Sequence, residues 1–111
     1  MTLAEEVEEL NMRLSVLERG PAVVGDWHRL DARAARMMIR AQYELTALQR
    51  DLIGFVRAVP PDPGWRQRRT DAQVLRDLVD ELQMIRLAAQ SRVFEHEAAD
   101  AQREVSSWSR D

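Results

Sequence analysis

The sequence predicts an all-α protein: a long antiparallel helical hairpin and a short N-terminal coiled-coil helix, assembling as an oligomeric helical bundle. Three observations carry this. Apolar residues recur at steps of three and four along nearly the whole chain. Helix breakers gather at only two places, Gly20-Pro21 and Pro60-Pro61-Asp62-Pro63-Gly64. Two Thr-x-x-Glu/Gln spacings, Thr2 with Glu5 and Thr70 with Gln73, stand where helices would start. The resulting organisation is a single domain over 1–111: helix 2–19, linker 20–25, helix 26–59, loop 60–70 and helix 71–108.

The first helix places Leu3, Val7, Leu10, Leu14 and Leu17 on a strict heptad seam. Acids crowd its first turns, where the helix dipole favours them. Gly20-Pro21 stops it. A helix this short is marginal alone in water, so its seam must find a partner, in its own chain or in another. The second helix starts from Asp26 as N-cap. It carries one broad stripe: Trp27, Leu30, Ala34, Met37, Ala41, Leu45, Leu48, Leu52, Phe55, Val56 and Val59. The step from Ala41 to Leu45 is a stutter, which suits a packed bundle more than an ideal coiled coil.

The third helix holds two apolar seams. Leu75, Leu78, Leu82, Ile85 and Ala89 form the first. Met84, Leu87, Ser91, Phe94, Ala98, Ala101, Val105 and Trp108 form the second. They lie well apart on a helical wheel, so one straight neighbour cannot bury both. The first seam serves the hairpin. The second needs either the N-terminal helix, which is too short to cover all of it, or another subunit, so it and the N-terminal seam are the candidates for self-association, with a homodimer the expected state. Folding about a loop at 60–70 pairs residues whose numbers sum to about 130. Trp27 is then expected near Arg103, Trp108 near Ala22, His28 near Gln102 and His96 near Ala34. Trp27 and Trp108 both lie far from Trp65 in that arrangement.

Composition narrows the chemistry. The chain has no cysteine, so disulfides and thiolate metal sites are excluded. All 16 basic residues are arginine, so Schiff-base lysines and P-loop lysines are excluded as well. Abundant Arg and Ala with a single asparagine, Asn11, suggests GC-rich coding and a high-GC bacterium or phage. No run of eighteen apolar residues marks a membrane span. Met1 to Leu10 holds four glutamates and no apolar h-region. A cytoplasmic protein is the expectation.

No serine–histidine–carboxylate elbow and no glycine-rich phosphate loop is present. Asp26, His28 and Asp31 lie close together, as do Glu95, His96, Glu97 and Asp100. Val93 breaks the Glu-x-x-His spacing of di-metal bundles, so these read as solvated charged faces and no metal or cofactor is expected. The run Val7-Glu8-Glu9-Leu10-Asn11 resembles the first helix of bacterial-type chorismate mutases, which are three-helix proteins of similar size. The resemblance covers one helix. Those enzymes commonly bind substrate through a lysine near the start of the fold, and this chain has none, so no family is assigned.

Two arginine groups remain. Arg29, Arg33, Arg36 and Arg40 share one helical face, and the expected register sets them beside the acidic stretch from Glu95 to Glu104. Ion pairing is the expected use, phosphate binding the alternative. The loop Trp65-Arg66-Gln67-Arg68-Arg69 gathers three arginines and an aromatic at the hairpin tip. It is a candidate contact for an acidic protein partner or for nucleic acid through Trp65, Arg66, Arg68 and Arg69. The net charge of −3 disfavours a dedicated nucleic-acid binder. The functional expectation is a non-enzymatic scaffold, adaptor or assembly protein acting through helix–helix contacts. The alternative is a small nucleic-acid-associated regulator.

Overall fold

The computed structural model describes residues 1–57 and 64–108, with side chains at 54–57 left aside. These residues form α1 (Leu3–Arg19), α2 (Val24–Arg57) and α3 (Trp65–Trp108), with no strand among them. The Pro60-Pro61-Asp62-Pro63 turn and Val59 lie outside the described residues.

Thr2 caps α1. Its backbone is extended, and its hydroxyl oxygen accepts the Glu5 N–H at 3.2 Å. The helix ends at Gly20, whose φ of −119° and ψ of 174° are the extended values that a following proline enforces. Helix α2 starts two residues before the expected cap, at Val24. Asp26 therefore sits in the first turn. Its carboxylate accepts the Val23 N–H at 3.2 Å and also bonds Arg29. The Val23 N–H first, and then Arg29, hold its carboxyl below the usual carboxylate range.

Helix α3 departs most from expectation. It begins at Trp65, and the Gly64 carbonyl accepts the Arg68 N–H at 3.1 Å to close its first turn. Residues 65–70 are thus helix, not loop. Thr70 is no cap: its hydroxyl donates back to the Arg66 carbonyl at 3.1 Å, as a mid-helix threonine does. The run Trp-Arg-Gln-Arg-Arg is rich in good helix formers behind a glycine, and that outweighs the capping spacing at Thr70.

The earlier start shifts the register by about three turns. Arg86 pairs with Asp31 at 2.9 Å, Gln90 reaches the same carboxylate at 3.4 Å, and the Arg92 guanidinium lies 5.8 Å from the centre of the Trp27 ring. Trp27 therefore meets Arg92, not Arg103. Ala22 lies by His96 and Ala99, not by Trp108. The expected pairings of His28 with Gln102 and His96 with Ala34 fall with the same shift. At the other end, Leu48 of α2 shares a cleft with Leu75 of α3. Residue numbers therefore run in opposite senses along α2 and α3 at their contacts.

Helix α1 packs on both other helices of its own chain. Its start lies by Leu48 and Leu75, its end by Trp27 and Arg92. Leu3, Val7 and Leu10 are buried and Leu14 and Leu17 half-buried. The α1 seam, expected to serve self-association, is thus covered within the chain. Against it stand Trp27, Leu30, Ala34, Met37 and Ala41 of α2 and Leu75, Leu78, Leu82, Ile85 and Ala89 of α3. Among the described residues no polar or charged side chain is buried, so apolar packing alone holds the interior together. The molecule is long and thin, 80 × 23 × 14 Å. Its radius of gyration is 20.4 Å, against about 13 Å for a compact domain of this length.

Two predictions follow from this packing. Leu10 is wholly buried, while Val16 on the same helix is 65% exposed. Leu10→Ala should cost about 2–5 kcal/mol in urea unfolding, and Val16→Ala no more than about 0.5 kcal/mol. Equal effects would mean that α1 does not pack as described. Asp26 has a folded pKa below its unfolded value, so its charged form stabilises the fold above the ordinary value of 3.8. That contribution fades as pH falls through the folded pKa. Wild type should melt higher than Asp26→Asn at pH 7, and the two should converge under acid conditions. A gap that stays constant down to pH 2 would contradict the assignment.

Candidate interaction surfaces

With the core filled, the second seam of α3 faces away from it. Met84, Leu87, Phe94, Val105 and Trp108 are exposed, Phe94 at 71% and Trp108 at 66%. Ser91, Ala98 and Ala101 between them are exposed too. Every residue from Glu97 to Trp108 is exposed, because α2 ends, at its Val24, beside the preceding part of α3. This stretch is a helical extension of about 18 Å beyond the three-helix body. Its apolar stripe is flanked on one side by Glu97 and Glu104, and Glu95, just before the extension, stands on the other side. Glu95 pairs with Arg92 at 3.4 Å, and Asp100 pairs with Arg103. Neither Glu97 nor Glu104 has an ion pair within 4 Å among the described residues.

The α2 arginines do not meet the acidic end of α3. Arg29 pairs with Asp26, Arg33 with Glu9 at 3.9 Å, and Arg40 with Glu6 at 2.8 Å and Glu44 at 3.8 Å. The expected partners were on the wrong helix, since the register shift carries Glu95 to Glu104 past the end of α2. What emerges is an open cleft of about 270 Å³ between α1 and α2. Arg13, Arg29, Arg33 and Arg36 line it, above the buried Leu10 and Leu30 and with the exposed Ala32 at its edge. Arg13 and Arg36 are exposed and have no carboxylate within 4 Å among the described residues. Sequence reasoning missed Arg13, whose place in this cluster depends on how α1 lies along α2.

The arginines at 65–69 are dispersed by helix formation. Successive helical residues point about 100° apart, so Arg66 and Arg68 diverge. Arg68 lines a second open cleft, of about 560 Å³, with Asp51, Asp71, Tyr43 and Leu75. Arg69 lies 5.3 Å from the centre of the Trp65 ring, so one face of that aromatic is occupied within the helix. A third cleft, of about 300 Å³, joins Trp27, Arg92, Glu95 and His96 with the α1–α2 turn. His28, next to Trp27 in the chain, is exposed and does not line it. Among the described residues no three histidines or carboxylates are placed to hold a metal ion.

No helix among the described residues is long and apolar enough to cross a membrane. Comparison of the chain with protein-family models, with curated proteins and with solved structures finds no match in any of the three.

Proposed function

We propose that this protein is a non-enzymatic helical assembly or adaptor module that associates with a second copy of itself through α3, as an antiparallel hairpin braced by α1. The observation that carries the reading is the uncovered apolar stripe from Met84 to Trp108, opposite a core that is already complete. Monomers seldom keep so long a contiguous apolar ridge in water. The strict alternation of three- and four-residue steps is the pattern that seats one helix against another. Ala98 and Ala101 add room for close approach. The clefts are open and hold no convergent set of acid, base and nucleophile, which favours a binding role over catalysis. The nucleic-acid reading has less support, because Arg66 and Arg68 diverge and Arg69 covers Trp65.

Light scattering of the wild-type protein should give the mass of a dimer at micromolar concentration. Phe94→Glu places a charge in the stripe without touching the intrachain core, and should yield a folded monomer with unchanged helicity. A wild-type protein that stays monomeric at high micromolar concentration sinks the proposal.

A further inference from the structure

The two orphan surfaces of this chain complement each other. The α3 extension is apolar along one side, with Glu97 and Glu104 on one flank and Glu95 just before it on the other. The cleft between α1 and α2 is apolar at its floor and rimmed by Arg13, Arg29, Arg33 and Arg36. We infer that the acidic extension of α3 from one copy docks on the arginine-rimmed cleft between α1 and α2 of a second copy. The inference rests on the self-association proposed above and supplies its geometry.

Three arguments select this contact over a face-to-face pairing of two α3 stripes. The first is charge. Glu95 stands on one flank of the stripe, and Glu97 and Glu104 on the other, so two like stripes would bring carboxylates together. The cleft instead offers guanidinium groups, two of which, at Arg13 and Arg36, have no partner carboxylate within 4 Å among the described residues. The second is spacing. Glu97 and Glu104 are seven residues apart on α3, as are Arg29 and Arg36 on α2, so each pair spans about 10 Å along its helix. The third is the apolar complement. Ala32, exposed at the edge of the cleft, is followed at helical steps by Ile39 and Tyr43, both largely exposed on the outer face of α2, giving Phe94, Ala98 and Ala101 a surface to cover beside Arg29 and Arg36. A free phosphate would use the arginines and leave that surface wet. An acidic amphipathic helix uses both, and this chain carries one.

Docking of unlike patches closes at a dimer when the two copies exchange extensions reciprocally, and otherwise continues as a chain of copies. In either case the contact is electrostatic at its rim. It should weaken at about 1 M salt, where the screening length falls to about 3 Å.

The test uses the full chain and four exposed residues that make no ion pair within 4 Å among the described residues. One variant carries Arg13→Glu with Arg36→Glu, a second Glu97→Arg with Glu104→Arg, and a third all four changes. Circular dichroism of each checks that the helices are kept. Sedimentation at low salt should show the first two associating at least about tenfold more weakly than wild type. The four-fold variant, with both charges reversed, should recover to within about threefold. Mixing the first two variants should restore association between them and gives a second readout that needs no four-fold change. If the Arg13 and Arg36 changes leave the association constant untouched while Phe94→Glu still dissociates the protein, this docking falls and self-association through α3 stands. The same holds if neither the four-fold variant nor the mixture recovers. A monomeric wild type removes both. Binding of duplex DNA that is lost in the first variant, with its mass unchanged, would assign the cleft to phosphate and overturn the inference.

Discussion

The architecture depends on a mismatch of lengths. Helix α3 is 44 residues long, α2 is 34 and α1 is 17. Two helices joined near one end can cover each other only as far as the shorter one reaches. No glycine or proline interrupts α3, so it continues past the end of α2 as a single rod. The three-helix core is confined to the levels where α1, α2 and α3 overlap, and its last buried α3 residue is Ala89. Beyond that level the stripe that began as the outer face of a bundle becomes one side of a bare helix.

Within the overlap, the register is set by layers that combine large and small side chains. Ala34, Ala41, Ala72 and Ala89 are fully buried. Their small size lets α2 and α3 approach closely, while Leu10, Leu30, Leu82 and Ile85 fill the space that α1 closes. Asp31 with Arg86, and Trp27 with Arg92, sit at the edge of this strip. Both pairs remain partly solvated, so each contributes modestly. Their effect is selective: sliding α3 by one turn would strand Arg86 and uncover Trp27.

Charge is distributed unevenly over this frame. The chain as a whole is mildly acidic, and its carboxylates include Glu5, Glu8 and Glu9, exposed on α1, and Glu97, Asp100 and Glu104 on the α3 extension. Among the described residues, Arg33 and Arg40 of α2 reach the Glu9 and Glu6 carboxylates of α1. Arg13 and Arg36 have no carboxylate within 4 Å among the described residues, and Arg13 acts on Asp26 only at longer range. An excess of positive charge beside a small apolar floor, and of negative charge beside a long apolar stripe, makes two surfaces on one molecule with opposite needs. Such complementarity governs orientation and encounter more than raw affinity, which comes from the apolar area beneath it.

The sequence by itself determined the three helices, the cap at Thr2 and the two seams of α3. These are local matters, set by periodicity and by Thr2, Gly20 and Pro21 within a turn of their effect. It also determined which α3 seam enters the core. Leu75, Leu78, Leu82, Ile85 and Ala89 are buried, while Met84, Phe94 and Trp108 are not. Only the tertiary structure decided the start of α3, because the helix formers behind Gly64 and the capping spacing at Thr70 compete within one stretch, and which of them prevails shows only in the folded chain. From that choice follow the α2–α3 register and the bare extension, since a shift of a few residues at one end of a rigid helix is carried to the other. Only the tertiary structure, too, decided that α1 packs on its own chain. A heptad seam of five apolar residues specifies that a groove must receive it, not whose groove, and the space left between α2 and α3 settled the matter.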